Sequence, residues 1–203
     1  MKLVIIDYGL GNLNSLESTF KYLNVDDIVL SNEYDTINQA DKLLLPGVGS
    51  FANAMTKIKN LKLETILKEQ VILKKKPILG ICLGMQLLCK YSEEDGGAKG
   101  LGFIDAECKK FAIKNLKIPH VGFNQVEINS SAKINEGFSG KKDFYFTHSY
   151  RLHSNNEIKS SFCAYGEDFI ASFEKDNIVG TQFHPELSQH NGLKLLKNFI
   201  EKF

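Results

Sequence analysis

Lys76-Pro77-Ile78-Leu79-Gly80-Ile81-Cys82-Leu83-Gly84-Met85-Gln86-Leu87-Leu88 passes from a short apolar strand signal, through a glycine-flanked cysteine, into a helix-forming run. A residue pinned on a sharp strand-to-helix turn projects its side chain outward, and glycines two places before and two after it relieve the crowding. Backbone N–H groups at the start of the following helix then face any negative charge that develops beside that side chain. The pinned residue here is Cys82, so the stretch predicts an activated thiol nucleophile on an α/β scaffold. Free cysteines are also common core fillers. Cys89, Cys108 and Cys163, in apolar patterns without flanking glycines, read that way.

A thiol needs a base and the base needs an orienter. Gln182-Phe183-His184-Pro185-Glu186 supplies both. Pro185 disfavours the helical region for His184, so the segment is expected to be extended, with residues i and i+2 on one side. Glu186 can then hold the imidazole of His184 and stabilise its cation. Alone, the tripeptide reads equally as a surface loop; beside a cysteine elbow it reads as catalytic. Pro46-Gly47-Val48-Gly49 ends a strand, and its plain reading is a turn. Next to a nucleophile, its backbone N–H groups at Val48 and Gly49, with that of Leu83, read as an oxyanion site in a loop whose glycines allow a peptide flip.

Outward from the elbow, the N-terminal half alternates strand and helix signals. Residues 2–7, 28–30, 42–45 and 77–81 read as short strands. Residues 15–23, 50–59 and 63–75 read as helices, with Leu16, Phe20 and Leu23 on one face of the first. Such alternation predicts a mostly parallel sheet with helices on both faces. The C-terminal half carries closely spaced β-rich segments at 107–113, 124–128, 143–147, 162–165, 169–173 and 178–182, expected as antiparallel strands. An amphipathic helix over 191–203 closes the chain. No repeat or linker appears, so the expectation is one α/β domain over 1–203.

The balance of 25 Lys+Arg against 24 Asp+Glu gives no reason to expect nucleic acid or a membrane surface as partner. No long apolar run predicts a transmembrane helix. The first residues read as a core strand rather than a targeting segment. Four cysteines without a C-x-x-C pair suit free thiols in the cytoplasm. Neither a metal cluster nor a nucleotide loop is visible. Gly9-Leu10-Gly11-Asn12 is too short for a dinucleotide fingerprint, and no cofactor is expected.

The elbow followed by Gln86, together with His184-Pro185-Glu186, resembles the class I (triad) glutamine amidotransferases. Four further stretches are similar to the glutaminase-subunit family of imidazole glycerol phosphate synthases: residues 6–12, residues 45–51, Pro119-His120-Val121-Gly122 and Phe146-Thr147-His148-Ser149-Tyr150. The resemblance implies that Cys82 attacks the side-chain amide of L-glutamine, giving a glutamyl thioester and ammonia. It implies that His184 protonates the leaving amine and later activates water, and that Glu186 orients His184. Gly47, Gln86, Thr147, His148 and Ser149 match positions that hold the substrate, although His148 and His120 read equally as structural histidines.

The same resemblance implies a heterodimer. The partner is a (β/α)8 barrel subunit that receives the ammonia and makes imidazole glycerol phosphate in histidine biosynthesis. Asn12, His120, Phe123, Asn124, Tyr145 and Leu187 map to the partner-facing side. Two of these depart from the family pattern, which usually has Trp at Phe123 and Lys at Leu187. They remove a hydrogen-bond donor and a charge, and leave open a relative that supplies ammonia for amidino-sugar formation in surface glycans. Two other readings are a cysteine hydrolase of another class, which the placement of Gln86 and Glu186 opposes, and an inactive regulatory subunit, which the complete Cys-His-Glu set opposes.

Overall fold

The apolar runs of the first half are only four or five residues long, and they become parallel strands of one sheet. The computed structural model describes residues 1–154, 156 and 158–203. Strand β1 (Lys2–Ile6) lies between β2 (Asp27–Ser31) and β3 (Lys42–Leu45), and β3 pairs with β4 (Ile78–Ile81), all in parallel. Side chains of β1 alternate between the two faces, as strand geometry requires. Val4 and Ile6 join Leu43, Leu45 and Ile78 against helices α3 (Phe51–Asn60), α4 (Leu63–Leu67) and α5 (Leu83–Leu87). Leu3 and Ile5 join Leu44, Leu79 and Ile81 against α1 (Leu13–Tyr22) and the closing α6 (Gln189–Lys202). Helices therefore cover both faces, as expected.

On the far side of β4 lies β13 (Ile178–Thr181), also parallel, with Ile78 opposite Ile178 and Ile81 opposite Thr181. Beyond it the sheet turns antiparallel, save for one parallel pair, and branches at β12 (Asp168–Lys175). One branch runs through β11 (Lys159–Ala164) to the ribbon of β8 (His120–Glu127) and β9 (Lys141–His148). The other runs through β10 (Tyr150–His153) to β7 (Ile104–Lys110), its parallel neighbour β5 (Cys89–Ser92) and the short β6 (Ala98–Lys99).

Several features differ from the expectation. A short helix α2 (Tyr34–Asn38), and strands β5, β6 and β10, stand where no element is foreseen. The helix expected over 63–75 stops as α-helix at Leu67 and widens into a π turn over Lys68–Leu73. That turn brings Gln70 and Val71 fully inside, where the Gln70 amide donates to Asn38 at 3.1 Å and Asn177 donates to the Val71 carbonyl at 2.9 Å. Strands β7 and β11 also start three residues earlier than expected, and β8 four.

The consequence for function is the order of three adjacent parallel strands. With β4 between β3 and β13, the segments leaving their carboxyl ends meet at one rim of the sheet. Ligands of open α/β sheets bind at that rim.

Candidate active site

Cys82 occupies φ 53°, ψ −109°, a conformation that L residues seldom adopt and that surrounding structure must impose. Its N–H donates to Thr181 of β13 at 2.7 Å, so the sheet holds the residue up to the turn itself. The two elbow glycines are demanded by close approach. A Cβ on Gly84 would stand 1.8 Å from the Leu45 carbonyl oxygen, and one on Gly80 would stand 2.8 Å from the Gly84 carbonyl.

His184 leaves β13 with extended dihedrals, φ −94° and ψ 98°, but the chain then folds into a 3-10 turn over Pro185–Leu187. Glu186 thus reaches the imidazole by a turn and not by the alternation of an extended strand, a correction to the sequence reading. The Leu187 N–H donates to the His184 carbonyl at 3.1 Å and closes the turn. Glu186 Oε1 lies 2.8 Å from His184 Nδ1, with both side chains buried. Strand β9 clamps the segment: the His184 N–H donates to Tyr145 O at 2.9 Å and the Tyr145 N–H donates to Ser188 Oγ at 2.9 Å, while Ser188 Oγ itself donates to the His184 carbonyl at 2.6 Å.

Cys82, Leu83, His184, Val48 and Gly49 line one cavity of about 370 Å³. Gln86, Thr147, His148 and Ser149 form its other walls. Gly47 stands behind it, where a Cβ would lie 2.5 Å from Tyr8 Oη. The Tyr8 hydroxyl in turn donates to Pro46 O at 2.6 Å and fixes the base of the Val48–Gly49 loop. Gly49 has φ 96° with open space where a side chain would be, so this peptide is free of the packing that fixes the elbow.

Burial works to lower the pKa of His184, but Cys82 and Glu186 outweigh it and push it up to about 10. The arrangement therefore favours an imidazolium facing the sulfur, backed by a carboxylate. His184 Nε2 is buried without a hydrogen-bond partner among the described residues, as suits an atom that serves a substrate.

The other two buried histidines behave oppositely. Burial lowers His148 to about 3 and His120 to about 4, so both are neutral at physiological pH. The His148 Nδ1–H donates to the Tyr150 carbonyl at 2.8 Å, and His120 Nδ1 meets His148 Nε2 at 3.1 Å. Because these folded values lie below 6.5, the unfolded chain takes up protons first, and stability falls as pH drops from 6.5 toward 4. At pH 5, His148 alone is expected to cost about 2 kcal/mol relative to pH 7. Thermal unfolding of His148→Gln at both pH values should show a smaller acid loss than the parent. His184 does not add to this slope. Its value is raised, so its contribution is whole below pH 6.5 and is lost only as pH climbs through about 10.

Of the residues placed at the partner face by resemblance, Phe123 and Tyr145 sit opposite each other on the outer side of the β8–β9 ribbon, ring centroids 5.5 Å apart. Phe123 is 51% exposed and Leu187, the last residue of the 3-10 turn after His184, 43%. Asn12 is exposed at the start of α1. Asn124 is half-buried, and its amide donates to Ala164 O at 3.1 Å. His120 is only 3% exposed, so it supports this face from beneath and does not present itself on it.

Sequence reasoning assigned no role to Gln182, which is fully buried and points its amide at Cys82 Sγ from 3.7 Å. The available signal was its place two residues before His184. Glu94, on the cavity wall, also had no signal; it accepts from the Phe51 N–H at 2.8 Å and caps α3. Cys89, Cys108 and Cys163 are buried free thiols, and burial raises Cys89 and Cys163, the latter to about 12. Among the described residues no group of three or more His, Cys, Asp or Glu is placed to hold a metal ion, and no helix is long and apolar enough to cross a membrane.

The fold is shared with a glutamine amidotransferase from Thermotoga maritima at 20% identity, TM-score 0.70, over 100% of this chain and 97% of that one. Similarity in sequence is far higher to an imidazole glycerol phosphate synthase subunit HisH 1 from Campylobacter jejuni (strain RM1221), 50% identical over 98% of both chains. A subunit HisH from Aquifex aeolicus is 43% identical over 100% of this chain and 97% of its own length. Residues 4–203 match the family model for glutamine amidotransferase class-I. With that match over almost every residue, and a thiol elbow facing a His–Glu pair in one cavity, the chain belongs to the class-I glutamine amidotransferases.

Proposed function

We propose that this chain, as a single domain over 1–203, is the glutaminase subunit of an imidazole glycerol phosphate synthase acting in histidine biosynthesis. The observation that carries the reading is the thiol of Cys82 in one cavity with His184, whose Nδ1 is held by Glu186 at 2.8 Å. The names of its relatives, which span essentially its whole length, support the pathway.

In the proposed reaction Cys82 Sγ attacks the amide carbon of glutamine. The carbonyl π pair moves to oxygen, where N–H groups of Leu83 and the Val48–Gly49 loop stabilise it. His184 Nε2–H protonates the amide nitrogen as the C–N bond breaks, and ammonia leaves a glutamyl thioester. Water then gives a proton to His184 and attacks the thioester, releasing glutamate and the thiol. Glu186 holds the imidazole and stabilises its cation throughout. Gln86 spends both amide hydrogens on Tyr150 O and Gln182 Oε1, at 3.1 and 3.0 Å. What it offers substrate is therefore Oε1, suited to the α-ammonium group, with Thr147, His148 and Ser149 completing the site.

The ammonia would pass to a (β/α)8 barrel partner in the cytoplasm. Val121, Phe123 and Tyr145 lie on one side of the β8–β9 ribbon, where Val121 is 57% exposed, and Leu187 is exposed just after the Glu186 turn; exposed apolar patches favour association. The test is glutamate release from glutamine, measured with and without the barrel subunit and its nucleotide ligand. The chain alone is expected to turn over slowly. Addition of both should raise the rate by about 10²–10³, the worth of one oxyanion donor brought into place. Fast turnover by the chain alone overturns the coupling. Absence of activation overturns the pathway assignment.

A further inference from the structure

We propose that Gln182 is a positioning residue for the nucleophile, one that holds a fixed amide N–H against the sulfur of Cys82. The inference rests on Cys82 being that nucleophile.

The direction of every hydrogen bond in the buried network follows from one group, the main-chain carbonyl of Tyr150, which can only accept. Gln86 Nε2 lies 3.1 Å from it and must donate, which fixes the orientation of that amide. The second hydrogen of Gln86 Nε2 goes to Gln182 Oε1 at 3.0 Å. Gln182 Nε2 is thereby turned toward Cys82 Sγ at 3.7 Å. A flip of Gln182 would oppose two donors at Gln86 and two acceptors at the sulfur. With Gln182 fully buried and Gln86 5% exposed, water cannot relieve that mismatch.

The same carbonyl fixes a second arm. His148 must donate to it through Nδ1, so its Nε2 accepts from His120 Nδ1–H at 3.1 Å. His120 Nε2 then accepts from Asn124 Nδ2 at 3.4 Å. Tyr150 O is thus braced from α5 on one side and from β8 and β9 on the other.

Two of the sulfur's neighbours respond oppositely to its protonation state. The S–H can donate to Thr147 O at 3.8 Å, a bond that vanishes with the proton. The N–H of Gln182 serves the thiolate better than the thiol, because a charged acceptor roughly doubles the strength of a hydrogen bond. Other groups facing the sulfur are His184 with Glu186 behind it, Tyr8, whose hydroxyl is engaged with Pro46 O, and across the cavity Glu94 and neutral His148. Replacing Gln182 leaves all of them in place.

The test is the pH profile of Cys82 alkylation by iodoacetamide, read by peptide mass spectrometry on the full chain, for the parent, Gln182→Met and Gln182→Glu. Loss of the donor in Gln182→Met should move the midpoint up by about one pH unit, a tenfold loss of thiolate at neutral pH. Gln182→Glu keeps the shape and the acceptor toward Gln86 but turns a carboxylate oxygen to the sulfur, so its midpoint should rise further. In the partner-activated enzyme kcat should fall about tenfold with KM unchanged. Parental midpoints in folded variants would overturn the proposal, and if Gln182→Met does not fold, Gln182→Glu decides it alone. Alkylation needs neither glutamine nor partner. Failure here leaves the glutaminase reading standing, whereas persistent turnover by Cys82→Ala would sink that reading without moving these midpoints.

Discussion

Cys82→Ala is expected to lower glutamine hydrolysis by at least about 10⁴-fold, with partner binding intact. In the proposed reaction the whole covalent route passes through one sulfur, and the other three thiols are buried elsewhere in the core. Stability should barely change, because alanine inherits the φ 53° backbone that the elbow imposes and surrenders only weak sulfur contacts. His184→Ala should cost nearly as much as the cysteine, since the two act as a unit and their losses do not add. Glutamate release and thermal unfolding of each variant check both halves of the expectation. Turnover within tenfold of the parent would remove Cys82 from the mechanism.

Gly84→Ala should have the largest effect on the fold. The added methyl would lie 1.8 Å from the carbonyl oxygen of Leu45, with no flexible side chain to yield. Leu45 ends β3 and leads into the Val48–Gly49 loop, while Gly84 lies within the elbow helix. Relief therefore separates the nucleophile turn from that loop. A loss of about 4 kcal/mol is expected, beyond the usual range for single substitutions, or about 10 °C in thermal midpoint for a chain of this size. Differential scanning calorimetry measures it. Gly49→Ala is the useful contrast: the space is open there, so its cost is confined to backbone strain at φ 96°.

The parts of this architecture legible in the sequence were those with local causes. Buried strands such as Leu43-Leu44-Leu45 and Ile78-Leu79-Gly80-Ile81 announce themselves by apolar runs ended by glycine or proline. The elbow announces itself by two glycines at fixed offsets. Cys89 was illegible as a strand residue because Leu87-Leu88-Cys89 continues the helix pattern; its strand state comes from parallel pairing with Ile104 of β7. The π turn at Lys68–Leu73 likewise answers to Asn177, far away in sequence. At His184-Pro185-Glu186 the alternation argument identified the right neighbours through the wrong geometry, since the local 3-10 turn won. The Tyr150 hub left no sequence trace, because the groups that brace it converge from three separate elements, α5, β8 and β9.

The pairing of Ile78 with Ile178 also sets an order of events during synthesis. The ribosome makes Cys82 before His184, 102 positions apart by residue number, and the two become neighbours only when β13 enters beside β4. Until then a nascent chain carries an ordinary cysteine, without a buried imidazolium to sharpen it. On the proposed mechanism the reactive centre therefore exists only once that long-range pairing has formed, and a polypeptide that stops before β13 lacks the base its thiol needs.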